Sequence, residues 1–103
     1  MRVDKLKIHE KFNQVVHLIN LDNRVSSTEM ALIYGLIVFY IRGEFHSNFH
    51  VSRSGLMQIS KISSTRTYHK SINNLIKLGY IEYHPSYHPK LGSMVSWINT
   101  VGI

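Results

Sequence analysis

The chain has 103 residues, a length typical of one domain with a single modest core. Its composition, 44% hydrophobic and 17% charged, is typical of a globular protein and argues against a disordered one. The formal net charge of +6 favours a polyanionic partner, and the absence of cysteine excludes disulfides and thiolate sites.

The N-terminal segment, residues 1–25, predicts an amphipathic helix from about Asp4 to Asn20. Its apolar residues recur near helical spacing, at Leu6, Phe12, Val15, Val16 and Ile19. The segment contains no apolar stretch of the kind that a secretory signal needs. We therefore expect a cytoplasmic protein with no membrane partner.

The second predicted helix begins after Ser26 and ends near Arg42. Ser26 and Glu29 have the spacing of a capping box, in which each side chain binds the other residue's backbone N–H. The helix is apolar on most faces, as in a central core helix. Gly35 in its middle lowers helix stability, which predicts close packing of another element there.

The next stretch predicts a short strand followed by a helix-turn-helix over residues 52–78. Alternation over residues 49–51 indicates the strand. Ser52 is suited to cap a helix from Arg53 to about Ser60, and either Ser63 or Ser64 to cap a longer helix that ends at Leu78. The inward side chains are expected to be Leu56, Met57 and Ile59 in the first helix, and Tyr68, Ile72, Leu75 and Ile76 in the second.

Residues 80–98 predict a β-hairpin. Gly79 occupies the position after a helix end where positive φ is common. Tyr80 to His84 and Ser93 to Ile98 alternate as strands, and Pro85 to Gly92 is a loop rich in turn-forming residues. The predicted fold is one α+β domain over residues 1–103, a winged helix-turn-helix with about four helices and an antiparallel β-hairpin wing.

Charge in the helix-turn-helix indicates a nucleic-acid interface. No Asp or Glu occurs between Glu44 and Glu82, whereas five Lys or Arg residues do. Arg66 is suited to bidentate contact with guanine and Asn73 with adenine, while lysines and helix N-terminal amides bind phosphates. The candidate contact residues are Arg53, Lys61, Ser63, Ser64, Arg66, Thr67, His69, Lys70, Asn73, Asn74 and Lys90. His84 and His88 are further wing candidates near a minor groove.

The residues do not predict an enzyme, a metal site or a cofactor. The four-residue spacings of His46 with His50 and of His84 with His88 fall in loops or strands, where they do not share a helix face. The chain has no P-loop, nucleophile elbow or close carboxylate pair. Tyr68 is interpreted as a core residue.

Residues 29–97 resemble small winged-helix proteins from conjugative transposons and related mobile elements of Bacteroides-type bacteria. The matching features include Leu75 with Leu78-Gly79-Tyr80-Ile81 and, most distinctively, Pro-Ser-x-x-Pro-x-x-Gly-Ser over residues 85–93. The others are Glu29-Met30-Ala31-Leu32, Ser60-Lys61-Ile62-Ser63 and Thr67-Tyr68-His69-Lys70. The resemblance implies DNA contact from Arg66, Thr67, His69 and Lys70, with support from the wing.

Together these features predict a non-catalytic protein of the bacterial nucleoid that binds double-stranded DNA. The resemblance implies an excisionase-like accessory factor in DNA recombination, which acts beside an integrase of the tyrosine recombinase type and bends DNA as a homodimer or cooperative assembly. One alternative is a transcription or replication regulator of the same element. Another is a protein-interaction module that uses the apolar helices.

Overall fold

Helices and strands alternate along the computed structural model, which describes residue 13 and residues 16–85 and 92–98. The described part is an α+β domain with four helices and one three-stranded antiparallel sheet. Helix α1 includes residues 16–21. It is followed by α2 (Ser27–Arg42), β1 (Asn48–Val51), α3 (Arg53–Ser60), α4 (Thr65–Lys77), β2 (Ile81–His84) and β3 (Ser93–Trp97). The predicted bounds from α2 onward are confirmed to within about a residue.

Serine side chains begin three of these helices. Ser26 Oγ accepts from Glu29 N, and the Glu29 carboxylate accepts from Ser26 N, which confirms the predicted capping box. Ser52 caps α3, and Ser64, rather than Ser63, caps α4 by accepting from Thr67 N at 3.3 Å. Such caps satisfy backbone N–H groups that have no partner within the helix.

Two glycines occupy the positions that the sequence assigned to them. A Cβ on Gly35 would lie 3.2 Å from Leu56 Cδ2, so α3 packs closely against the middle of α2. Gly79 has φ of +85°, the left-handed conformation that ends α4 and turns the chain into β2.

The sheet order is β1-β3-β2, so the first strand pairs with the last. In β3, Val95 lies opposite Phe49 of β1 and Tyr83 of β2. Helix α2 packs on α3, α4 and β1, while α4 also contacts β2. Phe49, Val95 and Ile81 are buried and join the sheet to the helices in one core.

A turn between α1 and α2 is joined to β2 by a buried polar contact. The Asp22 carboxylate accepts from the Arg24 guanidinium at 2.8 Å and from the Tyr80 hydroxyl at 2.6 Å. The hydrogen bonds from Arg24 and then Tyr80 hold the pKa of Asp22 well below its ordinary value. Burial, followed by the hydrogen bond to Asp22, raises the pKa of Tyr80 to about 12. We call Asp22, Arg24 and Tyr80 the Asp22 corner.

Two packing predictions need correction or fall outside the described residues. Ile76 was expected to be buried, but its side chain is 37% exposed because it lies at the edge of the apolar arc of α4. Met57 and Ile59 are only half-buried. In the N-terminal segment Ile19 is buried and Val16 is exposed, whereas Leu6, Phe12 and Val15 lie outside the described residues.

Candidate nucleic-acid interface

Helix α4 divides into a buried face and an exposed face. Tyr68, Ile72 and Leu75 are each at most 2% exposed, which confirms them as core residues. The predicted contact residues Arg66, Thr67, His69, Lys70 and Asn73 are exposed on the remaining surface. The sequence therefore partitioned this helix correctly apart from Ile76.

Four exposed side chains of α4 follow one line along the helix. Arg66, Lys70, Asn73 and Lys77 are spaced i, i+4, i+7 and i+11, which keeps them within an arc of roughly 60° and extends over roughly 16 Å. We call these residues the α4 stripe. Lys77 was absent from the predicted contacts, although its spacing of seven from Lys70 would have identified it.

The turn between α3 and α4 adds cationic and hydroxyl groups beside the stripe. Lys61 is exposed at the end of α3 with φ of 62°, a left-handed conformation that costs a β-carbon residue about 1 kcal/mol. Ile62 is buried and anchors the turn. A groove of about 340 Å³ separates this turn from the start of α2, and its lining includes Ser63, Ser64 and Thr67.

The cations of this region are not used by ion pairs within the described residues. The salt bridges found there are Arg24 with Asp22 at 2.8 Å and His84 with Glu82 at 3.4 Å. None of Arg53, Lys61, Arg66, Lys70 and Lys77 takes part in one. Five positive charges are thus presented on one side of the domain without an internal carboxylate partner.

Asn74 differs from the other predicted contacts because its side chain already has a partner. It is half-buried, and its Nδ2 donates to Glu29 Oε1 at 2.7 Å. Glu29 and Asn74 line a groove of about 580 Å³ together with Arg66, Lys70, Asn73 and Lys77. Glu29 is the one carboxylate among these lining residues.

Tyr68 is a buried residue whose hydroxyl has no hydrogen-bond partner within the described residues. Burial, and next the nearby Tyr83, raises the pKa of Tyr68 well above its ordinary value. The Tyr83 hydroxyl itself donates to Ser93 Oγ at 2.9 Å. The Tyr68 phenol therefore stays protonated and packs in the core.

The remaining predicted residues contribute less geometry. Arg53 is exposed in the first turn of α3, and His84 is exposed at the end of β2. Lys90 and His88 lie outside the described residues. Within those residues no group of three metal-ligating side chains comes together, and no helix has the length and apolar character to span a membrane.

Comparison with family models, curated proteins and solved structures finds no match to this chain.

Proposed function

We propose that this chain is a winged-helix protein that binds duplex DNA without catalysis, with α4 entering the major groove. The order of elements from α2 to β3, with β1 paired to β3, supports this fold. In such docking the second helix of the helix-turn-helix presents its exposed residues to base edges. A major groove about 12 Å wide admits an α-helix with its side chains.

The observation that carries the proposal is the unpaired α4 stripe. Like charges four residues apart on a helix cost about 0.2–0.5 kcal/mol, as between Arg66 and Lys70. A carboxylate across the surface would offset this cost, yet no ion pair within the described residues does so. Phosphates of duplex DNA would supply the missing anions, and the bases would face Arg66 and Asn73.

In this proposal the exposed residues divide by role. Arg66 and Asn73 contact base edges, while Lys70, Lys77, Lys61 and the Ser64 end of α4 hold phosphates. Thr67 and His69 flank the groove-facing side, and Arg53 reaches the backbone from α3. Lys90 is proposed to add a phosphate contact from the wing.

A salt titration tests this function. Each phosphate neutralised by Lys or Arg contributes a slope of about −0.9 to log affinity against log salt. We expect Lys70→Gln to reduce the magnitude of the wild-type slope by about 0.9 on a random-sequence duplex. Arg42→Gln removes the same charge 13 residues beyond Glu29, roughly 20 Å along α2, and is expected to leave the slope unchanged. A wild-type protein with no duplex binding at low salt would refute the proposal.

The resemblance to mobile-element proteins extends the proposal to a biological role. We propose an excisionase-like factor that binds attachment-site DNA beside a tyrosine recombinase, with regulation of the same element as the alternative. Adjacent copies would bend the DNA, and bending is measurable as a position-dependent mobility shift. A bend on attachment-site DNA supports the first role, and straight DNA at a promoter supports the second.

A protein-interaction role is the second candidate, and an exposed face of α2 favours it. Tyr34 is 61% exposed and Ile41 46% exposed, and their spacing of seven residues puts them on one side of the helix. Apolar side chains repeated along one helix face are typical of contact with another protein. Binding to a protein partner combined with absent duplex binding would favour this role over the first.

A further inference from the structure

Glu29 joins two helices through a single carboxylate oxygen. Oε1 accepts from the Ser26 backbone N–H at 3.1 Å, which closes the cap of α2, and from Asn74 Nδ2 at 2.7 Å. Glu29 is 8% exposed, so both hydrogen bonds are largely shielded from water. The cap of α2 and the third turn of α4 therefore share one rigid acceptor.

The carboxylate binds an amide although cations line the same groove. Arg66, Lys70 and Lys77 lie around Glu29, but none of them forms an ion pair with it within the described residues. An ion pair with Lys70 would remove one positive charge from the α4 stripe. Because Asn74 is neutral, its hydrogen bond holds Glu29 without neutralising a stripe residue.

The link also restricts how α4 can turn about its own axis. Side-chain surfaces lie about 5–6 Å from a helix axis, so a rotation of about 20° displaces them by about 2 Å. A hydrogen bond to a base edge tolerates a distance range of only about 0.5 Å. Small rotations of α4 would thus disrupt contacts from Arg66 and Asn73 together.

We infer that Glu29 and Asn74 form a positioning pair that sets the rotation of α4 and thereby the sequence preference of the interface. The inference rests on the proposed DNA binding. It changes the role of Asn74 from a DNA contact to a residue that acts through Glu29. Phosphate contacts adapt more readily than base contacts, so the pair acts on specificity more than on general affinity.

The test compares Asn74→Ala with Asn73→Ala on a duplex that the wild type selects from a randomised library and on a random duplex. Asn74→Ala is expected to lower the ratio of the two affinities about tenfold, with an unchanged salt slope and weaker discrimination at several base positions. Asn73→Ala is expected to relax one position only. Glu29→Gln keeps an acceptor for both donors, so it retains the ratio while the loss of the carboxylate strengthens binding to the random duplex.

Each other outcome overturns the inference. If Asn74→Ala relaxes one base position, Asn74 contacts DNA directly; if it changes no ratio, the pair positions nothing. If Glu29→Gln lowers the ratio as far as Asn74→Ala does, charge rather than geometry is responsible. A wild-type protein that binds no duplex refutes the proposed function as well, which separates that failure from the others. Urea unfolding of each variant checks that the compared proteins are folded.

Discussion

The Asp22 corner and the α4 stripe use charge in opposite ways. In the corner, Asp22 binds both Arg24 and Tyr80, so its charge is satisfied within the fold. In the stripe, Arg66, Lys70 and Lys77 form no ion pair within the described part of the chain. Charges satisfied internally contribute to stability, whereas charges left unpaired are available to a ligand. The comparison therefore predicts that stability and DNA binding respond separately to mutations in the two regions.

The largest expected effect comes from removing the stripe charges together. The variant Arg66→Gln/Lys70→Gln/Lys77→Gln should lower affinity for random duplex about a hundredfold at about 0.15 M salt, since each lost phosphate contact removes about 0.7 log units. Its free energy of unfolding should stay unchanged or rise by up to about 0.5 kcal/mol, because like charges on one helix repel. Fluorescence anisotropy and urea unfolding measure the two quantities. A parallel loss of stability and binding would contradict the separation of roles.

A smaller effect should come from a change at the cap of α4. Ser64→Asp preserves the N-cap, because aspartate is as good a cap as serine and its charge complements the helix dipole. The same charge lies where we propose a phosphate, so affinity for duplex DNA should fall about tenfold, the result of losing one contact and adding repulsion. Ser64→Ala gives the opposite pattern and should cost about 1 kcal/mol of stability. Equal DNA binding by Ser64→Asp and wild type would remove Ser64 from the interface.

Much of the fold could be predicted from local sequence patterns. Ser26, Ser52 and Ser64 begin helices because capping depends on residues within three positions, and Gly79 ends α4 because positive φ favours glycine. Helical periodicity likewise located the buried Tyr68. It misjudged Ile76, since the edge of an apolar arc is buried or exposed according to its neighbours.

Long-range contacts could not be predicted in this way. The Glu29–Asn74 hydrogen bond joins residues 45 positions apart, and the Asp22–Tyr80 bond joins residues 58 apart. No local spacing identifies such partners. The same limit applied to the stripe, where each cation was visible in the sequence but its lack of an ion pair required the three-dimensional arrangement.

The smallest expected effect sharpens the corner rather than the stripe. Tyr80→Phe removes the hydroxyl that donates to Asp22 and should lower the free energy of unfolding at neutral pH by about 1 kcal/mol. It should leave duplex affinity unchanged, because Tyr80 is buried outside the proposed interface. Urea unfolding and a binding titration on the same samples check both statements.

The pH dependence of that difference gives a second, independent check. The pKa of Tyr80 is raised to about 12, so its contribution is complete below the ordinary tyrosine pKa of about 10 and is lost as pH rises through the folded value. The pKa of Asp22 is lowered, so its contribution is complete above about pH 4 and is lost as pH falls toward its folded value. Wild type and Tyr80→Phe should therefore differ most between these limits and converge in alkali. A constant difference up to pH about 12 would mean that the hydroxyl contributes packing instead of its hydrogen bond to Asp22.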